Sequence, residues 1–292
     1  MTDAAILNKA LGAYLGFACG DALGATVEFM TPRQIQSRYG VHQEIIGGGW
    51  LGLEAGQVTD DTQMSLALGQ AIVEHQGWNI QAVADNFLAW MQSNPPDIGN
   101  TVRRGLSRYQ DSGALFGPPR IDDAGNGALM RNLPVVLATL NRPELFNSWS
   151  LQQSHITHNN PLSDAATQTL GLMVKHLVTR GEIEACTLEA EALLKQYAEF
   201  AYTPYPGKAS GYIVDTVQTV LHYFFNTGNF EDCLIATVNQ GGDADTTGAL
   251  AGMLAGARYG LEAIPERWLA SLDKTVSAEI RMQTQELVRI ND

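Results

Sequence analysis

Residues 240–260 read QGGDADTTGALAGMLAGARYG: a glycine turn with two aspartates one residue apart, two threonines, then glycines at every fourth position (248, 252, 256 and 260). Glycine inside a helix costs about 0.5–1 kcal/mol relative to alanine, so a helix that keeps several of them needs a packing reason. The same spacing occurs near the other end of the chain, at Gly12, Gly16, Gly20 and Gly24 within ALGAYLGFACGDALG. Glycine ridges let two helix backbones approach closely. The two segments are therefore expected to pack against each other at the centre of the fold, bringing Asp21 and the turn at Asp243 and Asp245 into one neighbourhood.

Outward from these segments the chain reads as helix after helix. Apolar residues recur at three-to-four spacing in TDDTQMSLALGQAIVEHQ, IQAVADNFLAWMQ, ALMRNLPVVLATL, SDAATQTLGLMVKHLVTRG, CTLEAEALLKQYAEF and YIVDTVQTVLHYFFNT, the signature of helices with one buried face. Strand-like alternation is scarce. Glycine, proline and asparagine gather in GVHQEIIGGGWLGLEAGQ, SNPPDIGN, FGPPRIDDAGNG and AYTPYPGKASG, which mark loops. Loops of that length without structure of their own are uncommon unless they carry function. No linker composition divides the 292 residues, so residues 1–292 are read as a single all-α domain.

Composition narrows the function classes. The net charge is −13, and no Lys/Arg cluster offers the counterion release that nucleic-acid binding needs. Cys19, Cys186 and Cys233 form an odd set without a CxxC pair, which predicts free buried thiols and a reducing, cytoplasmic setting. The opening MTDAAILNKALG has no basic stretch before its apolar run and is expected to be a structured helix rather than a secretory signal. Apolar runs such as GALAGMLAGA are too short to span a bilayer.

Three acidic clusters carry the chemical signal: GDALG at 20–24, TDDT at 59–62 and GGDADTT at 241–247. Any one of them alone is explained by helix capping, since Asp and Thr satisfy the free N–H groups of a first turn. Together, Asp60 with Asp61 and Asp243 with Asp245 supply two close carboxylate pairs, which repel unless a proton or cation lies between them. Carboxylates and hydroxyls without a nearby Cys or His suit a hard ion such as Mg²⁺ or Mn²⁺ rather than zinc. His155 and His158 in SHITHNN lack a third nitrogen or sulfur ligand close in sequence. The segment AGNGA at 124–128 offers backbone N–H groups unobstructed by side chains, which suits a pyrophosphate.

GDALGATVEF, GQVTDDTQMSLAL, AGNGALMRNLP and NQGGDADTTGALAGMLAGARYG, in this order along nearly the whole chain, resemble the ADP-ribosylglycohydrolase family. The resemblance implies a compact orthogonal multi-helix fold and a centre of two divalent cations, Mn²⁺ or Mg²⁺, that hydrolyses the N-glycosidic bond between ADP-ribose and an arginine side chain. Carried over, it makes Thr59, Asp60, Asp61, Asp243, Asp245 and Thr246 metal ligands. It also makes Glu28 and Asp97 acid/base or water-positioning groups. Asn100, Gly125, Asn126, Gly127, His158 and Tyr212 become substrate contacts, with Tyr212 equally readable as a half-buried core residue and Asn100 as a helix cap. Within the family, the match is closest to the branch acting on ADP-ribosylated dinitrogenase reductase in nitrogen-fixing bacteria. That branch is associated with a PII-type signalling protein and, through it, reversible sequestration at a membrane ammonium transporter. Hydrolysis of a serine-linked or acylated ADP-ribose, a non-catalytic role and a two-metal phosphohydrolase remain as alternatives. Asp122 and Asp123 receive no role.

Overall fold

Helix follows helix through residues 1–290, the part of the chain that the computed structural model describes. The first seven are α1 (Asp3–Gly24), α2 (Pro32–Tyr39), α3 (Asp60–Glu74), α4 (Ile80–Gln92), α5 (Asn100–Ser112), α6 (Leu133–Ala138) and α7 (Pro143–His155). Then come α8 (Pro161–Thr179), α9 (Ile183–Gln196), α10 (Ile213–Asn226), α11 (Phe230–Val238), α12 (Ala244–Tyr259), α13 (Glu266–Ser271) and α14 (Lys274–Arg289). Among the described residues there is no strand, and β-pairing is limited to isolated bridges, Gly48 with Leu53 and Gly125 with Tyr212. The all-α expectation holds, in one compact multi-helix body.

At its centre α1 and α12 lie antiparallel in a fixed register. A Cβ placed on Gly16 would come 2.5 Å from the Gly252 carbonyl oxygen, on Gly20 2.0 Å from that of Gly248, and on Gly24 2.0 Å from that of Ala244. These distances leave no room for any side chain, which is why the glycine cost is tolerated. α1 from Gly12 onward and nearly all of α12 are buried, and α8, α10, α11 and α14 pack around the pair. Cys19, Cys186 and Cys233 are free and buried in this core.

The antiparallel register has a direct consequence for chemistry. It sets the C-terminal turn of α1, with Asp21, against the N-terminal turn of α12, with Asp245. The N-termini of α3 and α5 reach the same end of the pair, since Asp60, Asp61, Asn100 and Thr101 line a cavity together with Asp245 and Thr246. Helix N-termini carry partial positive charge and favour anions, so three of them converge on one acidic, anion-receptive region.

Two local readings need correction. The helix expected over residues 128–140 is only α6, Leu133–Ala138, with Pro134 in its first turn. Proline is tolerated there because its missing N–H has no acceptor to lose, whereas inside a longer helix it would break the ladder. Helices α7 and α14 were not anticipated because polar residues interrupt their apolar stripes; α14 did carry a start signal, since Asp273 accepts from Thr275 N and Val276 N.

Candidate active site

Two segments far apart in sequence are clasped together beneath the acidic cluster. Phe29 N donates to Gly242 O at 2.6 Å, and Gly242 N donates to Met30 O at 2.9 Å. Phe29 adopts φ +61°, a conformation unfavourable for a bulky residue. The two-way clasp holds that strained turn in place, and the turn delivers Glu28 beside Asp243. On the other side, Asp21 anchors the start of α3: its carboxylate accepts from Thr59 N at 3.0 Å, Thr62 N at 3.1 Å and Thr62 Oγ1 at 2.5 Å. Asp60 and Asp61 thereby enter the cavity from the first turn of α3.

The carboxylates form two groups of three. Oxygens of Asp60, Asp61 and Asp245 lie within 4.8 Å of one another, as do those of Glu28, Asp243 and Asp245, so Asp245 belongs to both. No Lys or Arg forms an ion pair with any of them among the described residues. Burial and mutual repulsion therefore favour protonation. Burial, then the charges of Asp97, Asp21 and Asp243, pushes the Asp60 carboxyl up to about 8. Burial also lifts Glu28 to about 8 against the opposing hydrogen bond from Trp50. Asp61 and Asp245 are driven well above the usual carboxylate range by burial and then by neighbouring carboxylates. Asp21 rises only to about 6, because the Thr59 and Thr62 bonds oppose its burial.

These residues fit a divalent cation centre. Asp61 Oδ1 and Asp245 Oδ1 are buried without any hydrogen-bond partner, a costly state that a cation would relieve. The donors are carboxylate and threonine oxygens, the set that hard cations select. Thr246 Oγ1 donates to Asp61 Oδ2 at 3.2 Å and lines the cavity. Thr59 caps α3 behind Asp61 and lies outside the cavity lining.

The cavity has a volume of about 470 Å³. Asp97 is half-buried at its edge with its carboxyl raised by burial, and Asn100 is exposed as the first residue of α5, which Gly99 rather than Asn100 caps. The same cavity is lined by the turn of Gly125, Asn126 and Gly127. Asn126 O accepts from Met130 N at 3.0 Å, while among the described residues the N–H groups of Gly127, in the cavity lining, and Ala128, buried behind it, donate to no backbone carbonyl. That is the anion-receptive state of a helix start, formed here by an isolated turn. Asn126 itself is committed to the carboxylates: its Nδ2 donates to Asp243 Oδ2 at 2.5 Å and to Thr216 Oγ1 at 3.0 Å. His158 lines the cavity behind the glycines, its ring held well below the usual histidine range by burial and the nearby charges of Arg131 and Arg104. His155 instead pairs with Asp164 at 2.9 Å, outside the site. Tyr212 bridges to Gly125 through its backbone and is 42% exposed, so it is not a core residue, and it lies outside the cavity lining.

Sequence reading passed over Phe29, Trp50, Arg131 and Thr157. Trp50 Nε1 donates to Glu28 Oε2 at 2.5 Å, and its place in the glycine-rich GGGWLG loop was the available signal. Asp123, left without a role, is buried in an ion pair with Arg104 and steadies the segment before the glycine turn.

Comparison with known proteins agrees with this geometry. The family model described as ADP-ribosylglycohydrolase matches residues 2–291. The chain is 54% identical over 290 residues to the ADP-ribosyl-[dinitrogen reductase] glycohydrolase of Rhodospirillum rubrum, covering 99% of each protein. It is 32% identical over 288 residues to the ADP-ribosylarginine hydrolase Tri1 of Serratia proteamaculans, covering 94% of this chain and 76% of that one. A solved ADP-ribosylglycohydrolase-related protein complex superposes with a TM-score of 0.86 at 32% identity, over 98% of this chain and 99% of that one. With an acidic centre, a glycine turn and agreement along its whole described length, the chain belongs to the ADP-ribosylglycohydrolase family.

Proposed function

We propose that this chain, acting as a single domain, hydrolyses the N-glycosidic bond between ADP-ribose and an arginine side chain, and that its protein substrate is ADP-ribosylated dinitrogenase reductase, whose reactivation restores nitrogen fixation. The observation that carries the reading is the pair of carboxylate triads sharing Asp245 in a cavity that an open glycine turn also lines. Thr59, Asp60, Asp61, Asp243, Asp245 and Thr246 would hold two divalent cations, Mn²⁺ or Mg²⁺, with Glu28 in reach of the second triad. Such ions, when bound, supply Lewis-acid polarisation at the sugar and lower the pKa of water.

The chain's own groups do the rest. The N–H group of Gly127 and the His158 ring, both in the cavity lining, receive the pyrophosphate side of the ligand, and Tyr212, exposed beside Gly125, offers a face for stacking. Asn126, tied to Asp243, holds the glycine turn against the acidic cluster. Hydrolysis breaks the bond from ribose C1 to the guanidino nitrogen; water gives its hydroxyl to C1 and its remaining proton goes to that nitrogen, so arginine leaves as guanidinium. Asp97, at the cavity edge with a raised carboxyl, is suited to hand over that proton, and Glu28 to orient the water. Asn100, on the first turn of α5, is suited to a ribose hydroxyl.

The same reading includes a PII-type signalling protein as partner and, through it, reversible association with a membrane ammonium transporter. Among the described residues no helix is long and apolar enough to cross a membrane, so such association would run through the partner. The deciding experiment is release of ADP-ribose from ADP-ribosyl-arginine by chelator-stripped protein, then with Mn²⁺ restored. Metal-dependent release is expected. Release from a serine-linked substrate alone would move the reading to another linkage, and no release from folded protein would end it.

A further inference from the structure

Arg131 has no solvent exposure and forms no ion pair among the described residues. Its guanidinium lies over the Phe87 ring, 4.4 Å from the centroid. Nε donates to Gln153 Oε1 at 2.8 Å, and one terminal nitrogen donates to Gln153 O and to Thr157 Oγ1, each at 2.8 Å. Burying a cation this completely is expensive even when it is hydrogen-bonded. What it accomplishes is visible one bond further on.

Thr157 Oγ1 also lies 2.7 Å from His158 Nδ1. A hydroxyl has one proton to give, while a guanidinium can only donate. Thr157 Oγ1 must therefore accept from Arg131, and its own proton has one acceptor among the described residues, His158 Nδ1. If His158 instead donated from Nδ1, the threonine proton would be buried without an acceptor. The satisfied assignment is a neutral ring with Nδ1 accepting and the proton on Nε2. That Nε2 has no protein acceptor among the described residues and looks toward the glycine turn, where a Cβ on Gly125 or on Gly127 would lie 3.1 Å from it.

We propose that Arg131, acting through Thr157, is a positioning residue that fixes His158 as the Nε2–H tautomer, so that the ring presents a neutral donor to a phosphate or hydroxyl oxygen of the ligand across the glycine turn. This rests on the reading that the cavity receives ADP-ribose. A donor-only group is required at Arg131. A glutamine there could accept the threonine proton, free Thr157 to accept from Nδ1–H, and turn a lone pair of His158 toward an anionic ligand. The guanidinium charge also works against a second proton on the ring, alongside burial.

The test reads the ring directly. Full-length protein labelled with ¹⁵N-histidine is studied by long-range proton–nitrogen correlation, with the His158 signals identified by their loss in His158→Asn. The wild type is expected to show a protonated Nε2 and an unprotonated Nδ1 at neutral pH. Thr157→Val removes the relay; the tautomer preference should be lost and ADP-ribose, used as the probe, should bind about tenfold more weakly, the usual effect of one hydrogen bond. In turnover, KM should rise with kcat nearly unchanged. Thr157→Ser should restore both the spectrum and the affinity. An Nδ1–H or doubly protonated ring in the wild type, or a Thr157→Val spectrum identical to wild type, overturns the proposal. Should the valine variant not fold, the wild-type spectrum decides. An active enzyme with the other tautomer sinks this inference alone; an inactive protein with the expected tautomer sinks only the proposed reaction.

Discussion

The acidic wall of the cavity and the layer behind its His158 wall bury charge in opposite ways. On one, Glu28, Asp60, Asp61, Asp243 and Asp245 lie together with no basic partner and with carboxylate oxygens that nothing donates to. On the other, Arg131 is just as deeply buried, yet Gln153, Thr157 and the Phe87 face occupy it. The first wall is completed by something that arrives; the second is completed by the fold. Removing a side chain from the first should therefore cost function without costing structure, and removing one from the second should chiefly cost structure, with only the modest loss of ligand affinity that an unfixed His158 brings.

The largest effect is expected for Asp245→Ala, since Asp245 is shared by both triads. Cation-dependent hydrolysis should fall by at least about a thousandfold, because positioning and charge stabilisation at a metal site supply several kcal/mol. Without cation, the variant should melt no lower than wild type, because an unpaired buried carboxylate has been removed. Calorimetry in chelator, beside the activity assay, checks both; unfolding of the variant would erase the contrast between the walls. Asp243→Ala should likewise abolish activity and binding of one cation while leaving the helical content intact.

Arg131→Ala should behave in the opposite sense. It opens a cavity and strips hydrogen bonds from Gln153 and Thr157, a loss of about 3 kcal/mol or more by comparison with other buried truncations. The melting temperature should drop by about 6–12 °C for a chain of this size, with cation and without. A variant that lost activity but kept its melting temperature would show that the second wall also waits for its ligand.

Titration sharpens the comparison. On the acidic wall Asp60, whose ordinary value is 3.8, is held at about 8 in the folded protein, and Asp61 and Asp245 are likewise raised well above that value. Between those limits the folded state binds more protons than the unfolded one, so metal-free stability is greatest at low pH and is lost as pH rises through the folded-state values. In chelator the protein should therefore melt higher at pH 6 than at pH 8. A cation competes with those protons, so the rise in melting temperature on adding a given concentration of Mn²⁺ should be greater at pH 8, where a hundredfold excess over Kd corresponds to a stabilisation of about 2–3 kcal/mol. Chelated protein that gained stability from pH 6 to 8 would mean that the carboxylates are already satisfied.

How much of this could be read beforehand follows the range of the interactions. The glycine spacing and the starts of α3 and α12 are local patterns, and each gave its helix and its acidic turn. Pro134 shortened α6 for an equally local reason that the apolar periodicity obscured. The partners of the site are non-local. Nothing near Glu28 indicates that Gly242 clasps the next residue or that Trp50 bonds its carboxylate, and nothing near His158 indicates Arg131. Asn126 shows the same limit: its turn suggested a ligand contact, whereas its side chain holds Asp243, a residue 117 positions away.

The smallest effect tests how that missed partner acts. Trp50 belongs to a loop laid on the end of α1, where a Cβ on Gly49 would come 2.2 Å from the Ala25 carbonyl oxygen. Its ring lies 5.4 Å from that of Phe29, and its indole N–H donates to Glu28. Trp50→Phe keeps the aromatic contact and deletes only that donor. If Glu28 is held chiefly by the cation centre, one lost hydrogen bond should lower kcat/KM by about tenfold or less, with melting temperature unchanged. Trp50→Ala should cost somewhat more through lost packing on Phe29. A hundredfold loss in the phenylalanine variant would instead mean that Glu28 depends on the loop rather than on the acidic wall. The wall said to be completed by an arriving cation would then be completed in part by the fold, and the division between the two walls would have to be redrawn at Glu28.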